Sequence, residues 1–314
     1  MRRFSGLIAI AAAACFFVAF PAKAQLGYVR TEQGVEVSDN GKKVLFYQQQ
    51  PKTLGGQYTR AGYAHPLYTL DERVLTEVEP ADHLYHSGIF WAWHQIIVND
   101  KNVADGWICE NVSWAPEKMR VKKNGRKITV NTRLLWKSPV NAGIPEPIIR
   151  ENTRIIVHHS TESNYRLIDF DIHLLPLAGT IKLGGSDDHK GYGGFSLRLG
   201  LPDDLRFVSD GKEVVAKEEA VEAAPWMDFR GSFGGQGSPV SGVAVFCRAE
   251  SPDAVMPWIL RKKTSMQNAP YPGREPVAIP AKGLRLKYRL VVHDDSLSDE
   301  ALRELYAAYL RDSN

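Results

Sequence analysis

The stretch "GVEVSDNGKKVLFYQQ" fixes what this chain can become. Two runs of alternating apolar and polar residues are joined by Asn40-Gly41, a pair that accepts the positive backbone angles of a two-residue hairpin loop. "MRVKKNGRKITVNTRLLW" repeats the device at Asn124-Gly125, and further strand-like runs follow in "RIIVHHS", "YRLIDFDIHLLPL", "GGFSLRLGL", "SGVAVFCRA" and "LRLKYRLVVHD". In "RLIDFDIHL" the alternation predicts that Ile168, Phe170, Ile172 and Leu174 share a buried face, opposite Leu167, Asp169, Asp171 and His173. Only "SLSDEALRELYAAYLRDSN" reads as a helix, over about 298–311, with Ser298 as N-cap and acids in the first turn. The expected fold is therefore all-β: a large antiparallel β-sandwich in one domain, 25–314, closed by a C-terminal helix. Residues 210–236 are the least strand-like and read as a long loop or insertion.

The N-terminus, "MRRFSGLIAIAAAACFFVAFPAKAQ", has the charge, apolar run and small-x-small ending of a secretory signal covering 1–24, which predicts a periplasmic or secreted protein. The apolar run is about 14 residues, short of the roughly 20 a spanning helix needs. Cleavage would remove Arg2, Arg3 and Lys23; 39 less these three leaves 36 basic residues against 36 acidic. A neutral chain without a basic run offers no footprint for nucleic acid or an anionic membrane. The expected partner is a carbohydrate or another small neutral or anionic ligand. Cys109 and Cys247 are too few for a cysteine-rich metal cluster and allow one disulfide or two thiols.

"EPADHLYHSGIFWAWHQIIVND" holds three of the nine histidines. Along the strand, Trp91 and Trp93 fall on one face and His94 on the other. His83 and His86, three apart, converge only if "PADHLYHSG" is a turn, for which Pro80, Ser87 and Gly88 are suited. Two imidazoles so placed can share acid/base work, hydrogen-bond hydroxyls or hold a divalent metal with Asp82. "GGSDDHKGYGGFSLRL" sets His189 and Lys190 among glycines, and "APWMDFRGSFGG" groups Trp226, Asp228 and Arg230, types suited to stacking on and bonding a sugar.

"RAGYAHPLYTLDERVLTEVEPADHLYHSGIFWAWHQ", "KGYGGFSLRL" and "PWMDFRG" resemble an uncharacterised family of exported bacterial proteins labelled PmoA-like. Ser87 departs from that pattern, where an arginine commonly follows the second histidine. A methane-oxidising membrane subunit is a bundle of apolar spans, and this chain has no long apolar segment after its signal. The resemblance implies instead a supersandwich of the galactose-mutarotase-like kind, a scaffold that tilts expectation towards carbohydrate without fixing a reaction. The leading expectation is a carbohydrate lyase or epimerase, ahead of a glycosidase. His83, His86 and Lys190 are its acid/base candidates, with Asp228 or Glu151 as carboxylate partner. Substrate contacts are expected from Arg60, Arg198, Trp226 and Arg230, and from His65, Trp93, His94 and His189. The alternatives are a sugar-binding protein without catalysis and a metal-dependent hydrolase using His83 and His86. No cofactor is otherwise expected.

Overall fold

A computed structural model describes residues 25–54, 56–140, 146–248 and 254–312, so the expected signal segment lies outside the described residues. Asn40 and Gly41 stand at φ 52° and 79° between the paired residues Asp39 and Lys42. The second hairpin closes one residue later than the sequence suggests. Asn124 pairs with Lys127, so Gly125 and Arg126 form the loop, with Gly125 at φ 54°; a loop that needs a positive angle only at its first position puts glycine there.

Seven antiparallel strands form one sheet, in the order Leu26–Arg30, Gly34–Asp39, Lys42–Gln48, Tyr63–Leu67, Ile89–Trp93, Gly193–Leu197 and Gln267–Pro270. Nine form the other: Ser113–Asn124, Lys127–Lys137, Ile149–His158, Tyr165–Pro176, Leu284–Asp294, Ser241–Cys247, Trp226–Gly231, Arg206–Ser209 and Lys212–Glu213. Their inner faces meet in one core. Trp91 lies edge-on to Phe170 at 6.3 Å and Phe195 stacks on Tyr288 at 4.1 Å, each pair bridging the two sheets. Ile168, Phe170, Ile172 and Leu174 all point into it, as their alternation predicts. A smaller sheet of Val277–Ala278, Ile181–Gly184, Gln95–Val98 and Lys101–Ala104 extends the assembly. This is the expected antiparallel sandwich.

The helix spans Asp299–Asp312, and the Ser298 hydroxyl accepts the Ala301 amide at 3.2 Å. Leu302, Tyr306 and Tyr309 pack on Trp226, Ala244, Phe246 and Val291, which project from the outer face of the nine-stranded sheet. The helix thus covers that face over the Trp226–Gly231, Ser241–Cys247 and Leu284–Asp294 strands. The expected loop at 210–236 is corrected here: Trp226–Gly231 is an interior strand of the nine-stranded sheet. Met227 and Phe229 face the core while Trp226, Asp228 and Arg230 face the helix side, an alternation too short, between glycines and a proline, to stand out in the sequence. Among the described residues, no helix is long and apolar enough to cross a membrane.

Candidate functional site

The segment ahead of the Ile89–Trp93 strand does turn. His86 donates its amide to the His83 carbonyl and His83 donates to that of Pro80, both at 3.0 Å. The two imidazoles stack, centroids 4.7 Å apart with an interplanar angle of 1°. Their environments differ sharply. The His83 side chain is 28% exposed, and its Nδ1 lies 3.0 Å from Asp82 Oδ2. His86 is sealed at 1% exposure against Phe90, Tyr85 and Trp107, and neither of its ring nitrogens has a hydrogen-bond partner among the described residues. Burial pushes the His86 pKa down to about 2, helped by the positive charge of its neighbours. His86 is therefore a neutral wall supporting His83. Since lone pairs lie in ring planes, two parallel rings do not aim theirs at one ion. Among the described residues, no three His, Cys, Asp or Glu side chains converge as a metal site.

Asp82 is fixed from behind. Arg198 donates to both its oxygens at 2.9 Å, the Ser265 amide donates at 2.7 Å, and Arg198 also holds Glu77 at 2.9 Å and the Ser265 carbonyl. Burial alone would raise the Asp82 carboxyl, but the Ser265 amide, His83 and Arg198 outweigh it and hold the group well below the usual carboxylate range. Arg198 is thus a clamp on the turn, 5% exposed, rather than the sugar contact expected of it. Arg198→Met should lower stability by about 2 kcal/mol, less than for a fully buried pair because Glu77 and Asp82 keep some water. Chemical denaturation measures this, and an unchanged midpoint would remove the clamp.

A second pair repeats the first. His94 Nδ1 lies 2.8 Å from Asp105 Oδ2, and the other oxygen of Asp105 accepts the amides of Trp107 and Ile108 at 2.8 and 3.1 Å. His94 stacks on Trp107 at 5.3 Å, and Trp107 meets the His86 edge at 5.9 Å. Two carboxylate-held imidazoles therefore flank one aromatic patch on the outer face of the seven-stranded sheet. Tyr85 and Tyr58 border it, their rings 5.7 Å apart, and Tyr192 lies 5.7 Å from Trp107. Arg261 donates to the Tyr192 hydroxyl at 2.6 Å and to the Glu218 carbonyl at 2.7 Å. The Glu218 carboxylate in turn sits 3.7 Å from the Lys190 ammonium and 3.8 Å from His189. Lys190 and His189 thus belong to the loop that delivers Tyr192.

The remaining expected residues lie elsewhere or serve the frame. Arg60 is buried, donates to the Gly106 and Trp107 carbonyls at 2.9 Å, and lies over Phe90 and Trp114, so it holds the Trp107 loop. Trp93 is sealed in the core and donates its indole N–H to the Tyr271 carbonyl at 2.7 Å. His65 bonds the Thr76 hydroxyl at 3.0 Å, and burial brings its pKa down to about 4. Glu151 is corrected from catalytic partner to core carboxylate: it accepts from Trp136 at 2.9 Å and Thr153 at 2.8 Å, and burial raises its pKa. Asp228 is corrected likewise. It is fully buried with His293 at 2.9 Å and Arg230 at 2.5 Å, while Arg230 reaches Asp299 at the helix start. Trp226 lies under the same helix at 1% exposure, closed to any sugar. Cys109 and Cys247 are both free thiols.

Residues that sequence reasoning missed are Asp105, Trp107, Tyr58, Tyr85, Tyr192 and Arg261. Asp82 carries a signal, since it adjoins His83, but its place beside a histidine pair suits a metal ligand as well as a histidine partner. The model of a family of unknown function, DUF6807, matches residues 34–307. No curated protein matches the sequence. Among solved structures, an Escherichia coli K12 protein assigned provisionally as an aldose 1-epimerase is similar over 87% of this chain and 99% of its own, at 9% identity and a TM-score of 0.32. A likeness of that size assigns no activity, and the sandwich rests on the two sheets themselves.

Proposed function

The chain belongs to the DUF6807 family, whose function is unknown, and from its site we propose an exported enzyme that moves protons on a sugar or sugar acid, as an epimerase or lyase does. One observation carries this reading: His83 and His94 each have Nδ1 held by a carboxylate on either side of the Trp107 patch. A carboxylate accepting Nδ1–H selects the tautomer whose Nε2 carries the lone pair, and it steadies the imidazolium formed when that atom takes a proton. With two such groups, one imidazole removes a proton while the other, protonated, returns one elsewhere on the substrate. In ring opening, for instance, the base takes the anomeric O–H proton, the C1–O5 bond breaks and the acid protonates O5; closure reverses each step.

Hydrolysis fits less well, because a glycosidase needs two carboxylates free to flank the bond, whereas Asp82 and Asp105 are both committed to histidines. The half-buried rings of Tyr58, Tyr85 and Tyr192 supply faces for sugar C–H surfaces, with buried Trp107 behind them. Export rests on residues 1–24, and the PmoA-like label on resemblance alone.

The test is a panel of reducing sugars and uronate oligomers, followed by polarimetry for anomeric exchange, absorbance for unsaturated products and a reducing-end assay. Anomeric exchange without new reducing ends, or elimination in which each new reducing end is matched by an unsaturated product, is expected; new reducing ends without unsaturation would mean hydrolysis. His83→Gln and His94→Gln should each lower that rate about a hundredfold, ~2.7 kcal/mol, in the range of general acid/base contributions. Ligand affinity retained with no turnover on any substrate would establish a binding protein instead.

A further inference from the structure

The C-terminal helix leaves part of the nine-stranded sheet's outer face uncovered, and that part is built differently. Beneath the helix the outward residues include an apolar cluster, among them Phe246 and Val291, and the self-contained Asp228, His293 and Arg230 group. Beyond the Asp169–Arg289 pair, bonded at 2.6 Å, they become cationic. The register aligns them in two neighbouring rows across five strands. One row runs Arg120, Asn131, Arg154, Asp171, Lys287, and the next runs Lys118, Arg133, Asn152, His173, Arg285. Six of these ten are permanent cations and one is an acid. Asp171 is spanned by Arg154 at 2.9 Å and Arg285 at 3.1 Å, which leaves those two side chains more than half exposed. Glu117, at the bulge beside the rows, is 3.7 Å from Arg133.

Such a concentration of charge opposes folding by self-repulsion unless something of opposite sign meets it. The chain's total is only +3, so the local excess is a property of this face. We propose that it binds a linear acidic polysaccharide laid across the strands, at a site separate from the histidine patch on the other sheet. Adjacent strands are about 4.8 Å apart, so each row spans about 19 Å. Arg120, Arg154 and Lys287 occupy every second strand of one row, giving cations about 9.6 Å apart for charges spaced along an extended chain. Asn131 sits between Arg120 and Arg154, and Asn152 lies in the neighbouring row between Arg133 and His173; amides donate to and accept from hydroxyls. Neither row contains a Phe, Tyr or Trp ring, whereas proteins that hold single-stranded nucleic acid stack bases on such rings. A guanidinium meets a carboxylate or sulfate with paired N–H donors.

Polygalacturonate and dextran sulfate are the probes, with neutral dextran, single-stranded DNA and phosphatidylserine vesicles as comparisons, measured by affinity electrophoresis and titration calorimetry of the full chain. Binding to either acidic glycan is expected and none to dextran; the tighter of the two identifies uronate or sulfate as the natural charge. Raising salt from about 50 to about 200 mM should weaken it tenfold or more. The exposed triple variant Lys118→Gln/Arg120→Gln/Arg133→Gln should lose at least tenfold in affinity. Lys212→Gln, at the far edge of the same sheet, should lose none, and circular dichroism checks that each variant folds. The proposal is overturned by no retention of the wild type, by undiminished binding of the triple variant, or by DNA or vesicles bound as tightly as the glycans. Histidine-site variants should bind the glycans normally, so failure of the catalytic reading leaves this one standing.

Discussion

Asp228→Ala should cost about 3–5 kcal/mol of stability, the usual penalty for removing one partner of a buried ion pair. In a chain of this size that is roughly 6–12 °C in melting temperature. Asp228 and His293 are both fully buried, 2.9 Å apart, so the imidazole gains no water when its partner goes. Burial by itself would raise the Asp228 carboxyl and lower His293, yet each holds the other charged: Asp228 lies below its ordinary value and His293 above. Nothing nearby can yield. A Cβ on Gly242 would lie 2.4 Å from the His293 ring, so the backbone already touches it. Arg230 loses one of two carboxylates but keeps Asp299, so the helix start loosens rather than detaches. The double variant Asp228→Ala/His293→Phe should recover part of the loss, because an apolar pair replaces an orphaned polar group. Denaturant midpoints of wild type, Asp228→Ala, His293→Phe and the double variant, combined as a cycle, measure the coupling. A single variant within about 0.5 kcal/mol of wild type would show the pair to be dispensable.

The same triad shows why the sequence misleads where it does. Read linearly, "PWMDFRG" sets an acid and a base beside a tryptophan, the composition of a sugar site. Only the helix, some seventy residues later, reveals that this strand is covered on both sides. Short-range patterns fared better, since hairpins and caps are decided by neighbours. Asn40-Gly41 and the Ser298 cap are where their chemistry puts them. The convergence of His83 and His86 was legible as a turn, but its division of labour was not. Sealing of His86 depends on Trp107 and Phe90, and Trp107 is placed by Asp105 and Arg60. Asp105 reaches His94 across a small hairpin whose pairing register, with a bulge between Ile96 and Ile97, no local spacing announces. Arg198 looked like a ligand contact for a similar reason. An arginine at a strand end is ambiguous until the acids it faces, here Glu77 and Asp82, are brought to it from more than a hundred residues away.

Acid should destabilise this protein before its carboxylates titrate, and His86 should account for about half of the early loss. The folded pKa values of His86 and His65 are depressed to about 2 and about 4 from an ordinary 6.5. Below pH 6.5 the unfolded chain therefore binds two protons that the folded chain refuses, and stability falls as pH falls. Each proton is worth about 1.4 kcal/mol per pH unit, so the two together remove about 4 kcal/mol by pH 5. The His65 share levels off near pH 4, while that of His86 continues towards pH 2. His293 works in the other direction: its folded pKa is raised, so its contribution is complete below 6.5 and is lost as pH climbs through the folded value. It adds nothing to the acid slope. Asp82, Asp169 and Asp228, all depressed, enter only below about pH 4. His86→Asn, which places no group titrating near neutrality in the pocket, should halve the fall between pH 6.5 and 5, to about 2 kcal/mol. Urea denaturation at half-unit intervals, on wild type and His86→Asn, reads both slopes. Parallel curves for the two proteins would mean that His86 takes up its proton in the folded state, and that the wall behind His83 opens to water.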